Sequence, residues 1–335
     1  MFRSAGWLLV GLLLLGAACS DGPRPKDAVI RGIALGLFAS AGGYDYETLL
    51  QEIADQGATD VLLVVEWDQT DVSSADLRPA RADVAKCLRK ARRLGLRATV
   101  MPIVRLHAGS AAEWRGQLRP EEGAESWFAR YRALLLELAQ TAQDGGAVRL
   151  GIGSELSTLE AYEQKWRLLA REVRGIFSGR IFYSLNWDAT DPAAPLPGFL
   201  DALDELGVAA YFALAAPGAH PQPGELARAW EGPRRRLRAV RERLQGRPLF
   251  FSELGYPSLA SAAAAPWDPE TDAAIDLRLQ EELLAVFCQT YSGQGELAGF
   301  FAWNWFGFGG PTDRGYTPRG KPAATTLAEC LRTFK

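Results

Sequence analysis

The sequence predicts an α/β fold, a (β/α)8 TIM barrel, on three observations. From residue 28 onward, continuous apolar runs alternate with longer amphipathic stretches, as parallel strands do when crossover helices join them. Eight such runs fit into roughly 300 residues without a linker, the arithmetic of a closed barrel. No GxGxxG follows the first run, so the usual mark of an open dinucleotide-binding sheet is missing.

The predicted strands are "AVIRGIALGLF" (28–38), "DVLLVVEW" (60–67), "RATVMPIV" (97–104), "VRLGIGSEL" (148–156), "IFYSLNW" (181–187), "GVAAYFAL" (207–214), "PLFFSELGY" (248–256) and "LAGFFAWNWF" (297–306). Between them, "YETLLQEIADQGA" places Leu49, Leu50, Ile53 and Ala54 on one helical stripe, and "ARADVAKCLRKARRLG" ends on a glycine suited to close a helix.

With 335 residues, 48% apolar and 10% aromatic, the chain has enough apolar surface for a large core. A net charge of −3 argues against a nucleic-acid partner, which needs clustered Lys and Arg. The one basic run, "GPRRRLRAVRERLQGR" (232–247), spreads its arginines around a helical repeat and reads as a solvated outer face. No obligatory protein partner is implied.

Residues 1–19 read as an export signal, with a basic start, a short apolar core and small residues before Cys19. "LGAAC" resembles a bacterial lipobox, with Leu15 four rather than three residues before the cysteine. The expectation is lipidation at Cys19, a polar tether over 20–30, and a single catalytic domain over 31–335 exported and anchored at the cell envelope, periplasmic or at the surface. An ordinary cleaved signal or an uncleaved anchor stays open. Cys87, Cys288 and Cys330 show no CxxC spacing; an unpatterned odd count favours buried thiols, with a disulfide between two of them left open. Two histidines, His107 and His220, exclude a His-rich metal site.

A barrel strand surfaces at its C-terminal end, so catalytic groups are sought there. Those ends carry Glu66, Trp67 and Asp68; Arg105 and His107; Ser154 and Glu155; Asn186, Trp187 and Asp188; Tyr211; Glu253 and Tyr256; Trp303, Asn304 and Trp305. Any one of them has a structural explanation, an ion pair or a plug. Together, acids and amides interleaved with indoles suit a sugar site, where pyranose faces stack on rings and hydroxyls take hydrogen bonds. Glu155 and Glu253, at equivalent ends of strands four and seven, are the best pair for cleaving a glycosidic bond. The acid of such a pair must hold a proton near neutral pH, so a raised pKa is expected at Glu155.

"RLGIGSEL", "SLNWD", "DELGVAAYFAL", "LFFSELGY" and "GFFAWNW" followed by "GYTPRGKPA" resemble glycoside hydrolase family 113, retaining endo-β-mannanases of clan A. The resemblance runs from about residue 31 to the C-terminus, with the motifs in order. It implies a (β/α)8 fold, no cofactor, a polysaccharide or oligosaccharide substrate, Glu155 as acid/base, Glu253 as nucleophile and Trp303 as the aromatic floor of the cleavage subsite. Many clan A enzymes have Asn before the acid/base; here Ser154 stands there, so Asn186 or a water is expected to contact the sugar 2-hydroxyl. Two loops are candidate cleft walls, "RLHAGSAAEWRGQL" through Arg105, His107 and Trp114, and "PSLASAAAAPWDPETDAA" through Trp267. Either loop can equally be ordinary packing.

The expected function is a retaining glycosidase on β-linked, mannose-containing glycans. Another β-glycan or an envelope polysaccharide, and a glycan-binding surface lipoprotein without activity, remain as alternatives. An aldolase-type barrel lacks the strand-end Lys or phosphate-binding glycines it would need.

Overall fold

The eight apolar runs become eight parallel strands: β1 (Ile30–Leu37), β2 (Asp60–Gln69), β3 (Arg97–Leu106), β4 (Arg149–Ser154), β5 (Arg180–Asn186), β6 (Glu205–Ala209), β7 (Leu249–Leu254) and β8 (Gly299–Ala302). They hydrogen-bond in sequence order, and β8 closes the barrel on β1 with Gly299 beside Ile30. A computed structural model describes residue 1 and residues 28–39, 44–79, 82–108 and 112–335. Cys19, the remaining export-signal residues and most of the tether lie outside the described residues.

The helices are α1 (Tyr46–Asp55), α2 (Val84–Arg93), α3 (Ala124–Gly145), α4 (Glu163–Arg174), α5 (Pro223–Ala229), α6 (Glu231–Arg243), α7 (Leu277–Tyr291) and α8 (Ala323–Thr333). Aspartates start three of them: Asp45 accepts from the Thr48 N–H at 3.1 Å, Asp83 from Lys86 at 2.8 Å and Asp276 from Leu279 at 2.9 Å. Gly95, expected to close α2, does so with φ of 73°. The strict strand–helix alternation fails once. Between β5 and β6 only short 3-10 turns form, at Trp187–Thr190 and Gly198–Ala202, because Pro192, Pro195 and Pro197 remove the N–H groups a longer helix needs. Two helices, α5 and α6, then share the next crossover.

Strand alternation produces two cores. Ile30, Ala34, Leu62, Val64, Met101, Phe182, Phe250 and Phe301 fill the barrel, and Trp303 packs on top of them. The larger core lies between sheet and helices and includes Leu63, Trp127, Tyr131, Trp166 and Phe287. The strands from β2 to β6 each begin with a charged residue, and these pair at the end of the barrel remote from the strand C-termini. Arg97 Nη2 lies 2.6 Å from Asp60, Arg149 Nε lies 2.7 Å from Glu205, and Arg180 bonds Glu205 as well.

Cys288 of α7 and Cys330 of α8 form a disulfide, with Cα atoms 5.8 Å apart. Of the two alternatives left open, this is the disulfide rather than the three buried thiols that the odd count favoured. The pairing depends on α7 packing beside α8 after the barrel closes, which a sequence separation of 42 residues does not reveal. Cys87 is the buried thiol, and burial pushes it up to about 12.

Candidate active site

Strands β4 and β7 lose regular register just before their ends. The β4–β5 pairing shifts between Gly151 and Ser154, and the β7–β8 pairing between Phe251 and Leu254. Such irregularities re-aim the side chains that follow. Glu155, the first residue past β4, has φ of 54°, a left-handed conformation that non-glycine residues seldom adopt. Its N–H donates to the Ser184 carbonyl at 2.9 Å, and the Leu156 N–H donates to the Tyr183 hydroxyl at 2.9 Å, which together hold the turn.

Glu253 is fully buried beside it. The Tyr211 hydroxyl donates to Oε2 at 3.0 Å, and the Ser154 hydroxyl lies 3.4 Å from Oε1. Burial, and then the charge of Glu155, push the Glu253 carboxyl up to about 7 against the opposing pull of Arg115, Tyr211 and Ser154.

The decisive group was missed in the sequence. Arg115, on a 3-10 turn after β3, donates from Nη2 to Glu155 Oε2, and the same nitrogen lies 3.8 Å from Glu253 Oε1. One nitrogen reaching both acids keeps those two oxygens no more than about 6 Å apart, below the ~6.5 Å where inverting pairs begin. The charges of both acids hold the Arg115 guanidinium above its usual range against the burial that opposes it. Its buried Nε has no hydrogen-bond partner among the described residues. Arg115 also lines a groove of about 550 Å³ with Phe38, Glu66, Arg105, Trp114 and Phe306.

Two further groups escaped the sequence reading because both lie in loops rather than at strand ends. Glu160 accepts from the Tyr183 hydroxyl at 2.9 Å, and burial pushes it up to about 7, with Asp188 and Glu155 adding to the rise. Tyr316 packs edge-on against Tyr211 with ring centroids 5.9 Å apart.

The expected sugar-binding residues divide. Ser154 and Tyr211 reach Glu253 directly. Asn186 is buried with its Oδ1 taken by the Trp187 N–H at 2.8 Å, which leaves the amide NH2 to donate. Trp187 stacks on Trp267 at 5.4 Å with an 18° interplanar angle, and Trp267 stays 47% exposed, so the loop after β7 does meet the β5 end. Trp303 sits over the barrel core beside Phe38. Arg105 pairs with Glu66 at 3.0 Å, His107 with Asp68 at 2.6 Å, and Asp188 is exposed on its turn.

Three tryptophan and tyrosine expectations are corrected. Trp67 follows inward-facing Glu66 and so points outward, packing on Tyr131 of α3 with centroids 5.0 Å apart. Trp305 turns to α1, donating its indole N–H to Glu52 at 2.7 Å. Tyr256 is buried among apolar side chains, its hydroxyl without a partner among the described residues, and burial pushes it well above its ordinary range. None of the three faces the acids.

A model of glycoside hydrolase family 113 matches residues 36–312. Among solved structures, a complex of a GH113 β-1,4-mannanase superposes with a TM-score of 0.80 at 21% identity, covering 91% of this chain and 99% of that one. A GH113 β-mannanase from Alicyclobacillus acidocaldarius, in complex with ManMIm, gives 0.79 at 24% identity, covering 91% and 97%. A Faecalibacterium prausnitzii β-glucuronidase gives 0.62 at 15%, covering 92% of this chain and 50% of that one. No curated protein matches. At these identities the structural likenesses speak for the fold alone. The family match covers most of the barrel and both acid-bearing strand ends, so the chain belongs to glycoside hydrolase family 113 and is a glycoside hydrolase acting on an oligosaccharide or polysaccharide.

Proposed function

We propose that the protein is a retaining hydrolase of β-linked, mannose-containing glycans, with Glu253 as nucleophile and Glu155 as acid/base. The observation that supports the mechanism is the reach of Arg115 Nη2 to both acids, which keeps two of their oxygens no more than about 6 Å apart, below the ~6.5 Å spacing at which inverting pairs admit a water. In the first step Glu253 attacks the anomeric carbon while Glu155 gives its proton to the departing oxygen. In the second, Glu155 takes a proton from water, whose oxygen displaces Glu253 and restores both carboxyls. Tyr211 and Ser154 hold the attacking carboxylate by hydrogen bonds to its two oxygens. Asn186, with its amide NH2 free to donate, supplies the contact to the sugar 2-hydroxyl that the Asn usual before the acid/base would make.

The choice of mannose is supported by family membership and by the β-mannanases among the structural neighbours. Release of reducing ends from mannan, glucan and xylan by wild type and by Glu253→Ala tests it. Wild type should cleave mannan with initial products of retained β configuration, and the variant should cleave nothing. Binding of a glycan without cleavage by either protein would instead make the barrel a binding scaffold. Asn186→Ala should lower kcat/KM; unchanged transition-state stabilisation would remove Asn186 from its role.

Export and lipid anchoring at Cys19 complete the proposal. The Cys288–Cys330 disulfide supports an oxidising compartment. Metabolic labelling with a fatty acid, lost in Cys19→Ser, tests the anchor.

A further inference from the structure

The contact between Arg115 and Glu155 conflicts with the work of an acid catalyst. A general acid must offer a proton to the glycosidic oxygen, yet Glu155 Oε2 accepts from a guanidinium that only donates and favours the charged carboxylate as its partner. The same nitrogen is 3.8 Å from Glu253 Oε1, so a shift of about 1 Å would bring it to the ~2.8 Å of a charge-assisted hydrogen bond on the other acid. Arg115 stands on a short turn reached by a loop rather than on a strand, and its Nε is without a partner among the described residues, so its contacts to the two acids orient the head group.

Resting on the two-glutamate reading, we infer that Arg115 is a positioning residue that exchanges partners during turnover, pairing with Glu155 before substrate enters and with Glu253 once a glycosidic oxygen has taken its place on Glu155. The trio holds one guanidinium, one carboxylate and one carboxylic acid throughout. Only the proton changes address, leaving Glu253 and arriving on Glu155, so net charge is unchanged by the exchange. Substrate entry thereby creates the pair of protonation states the reaction uses: an ionised nucleophile and a protonated acid.

Every charged or titratable group around the pair belongs in this account. Glu253 faces Glu155 at the end of β4, Arg115 from the loop after β3, Tyr211 from beyond β6 and Tyr316 from the loop after β8. Glu160, just after β4, faces Glu155. Among these, Arg115 is the one cation, so the partner it chooses decides which acid is ionised. The carboxyl that burial and its neighbour push up to about 7 is Glu253, in keeping with a proton resting there while Arg115 is on Glu155.

The test is a carbon-NMR titration of protein carrying 13C-labelled glutamate carboxyls, with the two sites assigned through Glu155→Gln and Glu253→Gln. In free wild type the carboxyl titrating near neutrality should be Glu253. With a non-cleavable thio-linked β-mannan oligosaccharide bound, it should be Glu155. The same acid titrating near neutrality in both states, or Glu155 doing so in the free protein, overturns the exchange. Arg115→Met should lower kcat/KM by about 10²-fold and move its acidic limb up by about one pH unit, while Arg115→Lys keeps the limb near its wild-type place. A uniform loss at every pH would show a merely structural arginine and overturn the inference. The free-protein titration needs neither binding nor turnover. A chain that neither binds nor cleaves mannan therefore defeats the substrate reading, while the location of the proton still decides this one.

Discussion

Gly255 follows β7 directly and lies under the proposed floor of the site. A Cβ added there would stand 2.4 Å from the Trp303 carbonyl oxygen, 3.0 Å from Trp303 Cβ and 3.2 Å from a Tyr316 ring carbon. Carbon meets oxygen comfortably at about 3.3 Å, so close to 1 Å must be absorbed. The nearest obstacle is backbone and cannot rotate away. It is also tied down, since the Trp303 N–H donates to the Leu254 carbonyl at 2.7 Å. Gly255→Ala should therefore lift Trp303, cost about 1–3 kcal/mol of stability and, at ~1 Å of misplacement, lower kcat/KM by about 10²-fold. Urea unfolding and initial rates on β-mannan oligosaccharides measure the two effects separately. Gly95→Ala is the control: with φ of 73° and nothing within 4 Å, it should cost about 1–2 kcal/mol through backbone strain and leave catalysis alone. Wild-type kcat/KM in Gly255→Ala at wild-type stability would refute the claim that this glycine sets the height of the floor.

Other expectations follow from the same geometry. The pair must keep one proton, so kcat/KM should fall above about pH 7, where Glu253 loses it; Tyr211→Phe removes a donor to the charged form and should move that descending limb to higher pH while lowering the maximum. Cys288→Ser with Cys330→Ser opens a loop of 42 residues and should cost about 4 kcal/mol in thermal or urea unfolding, with kcat unchanged because the bond lies between outer helices. Trp67→Ala should destabilise by about 3–5 kcal/mol with near-normal kcat/KM in the folded fraction, whereas Trp303→Ala should do most of its damage to turnover. Equal kinetic losses in the two variants would contradict their placement on opposite sides of the sheet.

The strands were legible because burial on both faces leaves continuous apolar runs, and all eight appear within a few residues of their expected bounds. The acids were legible for a related reason, since a carboxylate at the end of such a run stands out. Which way a strand-end side chain points was less accessible. Trp67 and Glu66 are neighbours in sequence and face opposite sides of the sheet, and treating both as surface groups ignored the period of two. Trp305 and Tyr256 lie past the ends of β8 and β7, where the path of the loop rather than the strand period aims a side chain. Arg115 was harder still. It lies well beyond the end of β3, and a loop residue reaches the centre only through the path of the folded chain, for which one sequence has no periodic signal. The disulfide was hidden likewise, because its cysteines meet only after α7 and α8 have docked.

The charged ring at the strand starts has a practical consequence. At that pole, Arg97, Arg149 and Arg180 share Asp60 and Glu205 in a chain of contacts that pins the entry points of five consecutive strands. Slipping one of these strands by a single residue would strand a buried ion, so alignment of the staves is checked where no chemistry occurs. The opposite rim is thereby relieved of that duty. Its loops should accept exchange, shortening or grafting from other barrels with little risk to assembly, which makes this chain a base on which new mouths can be built while the foundation stays untouched.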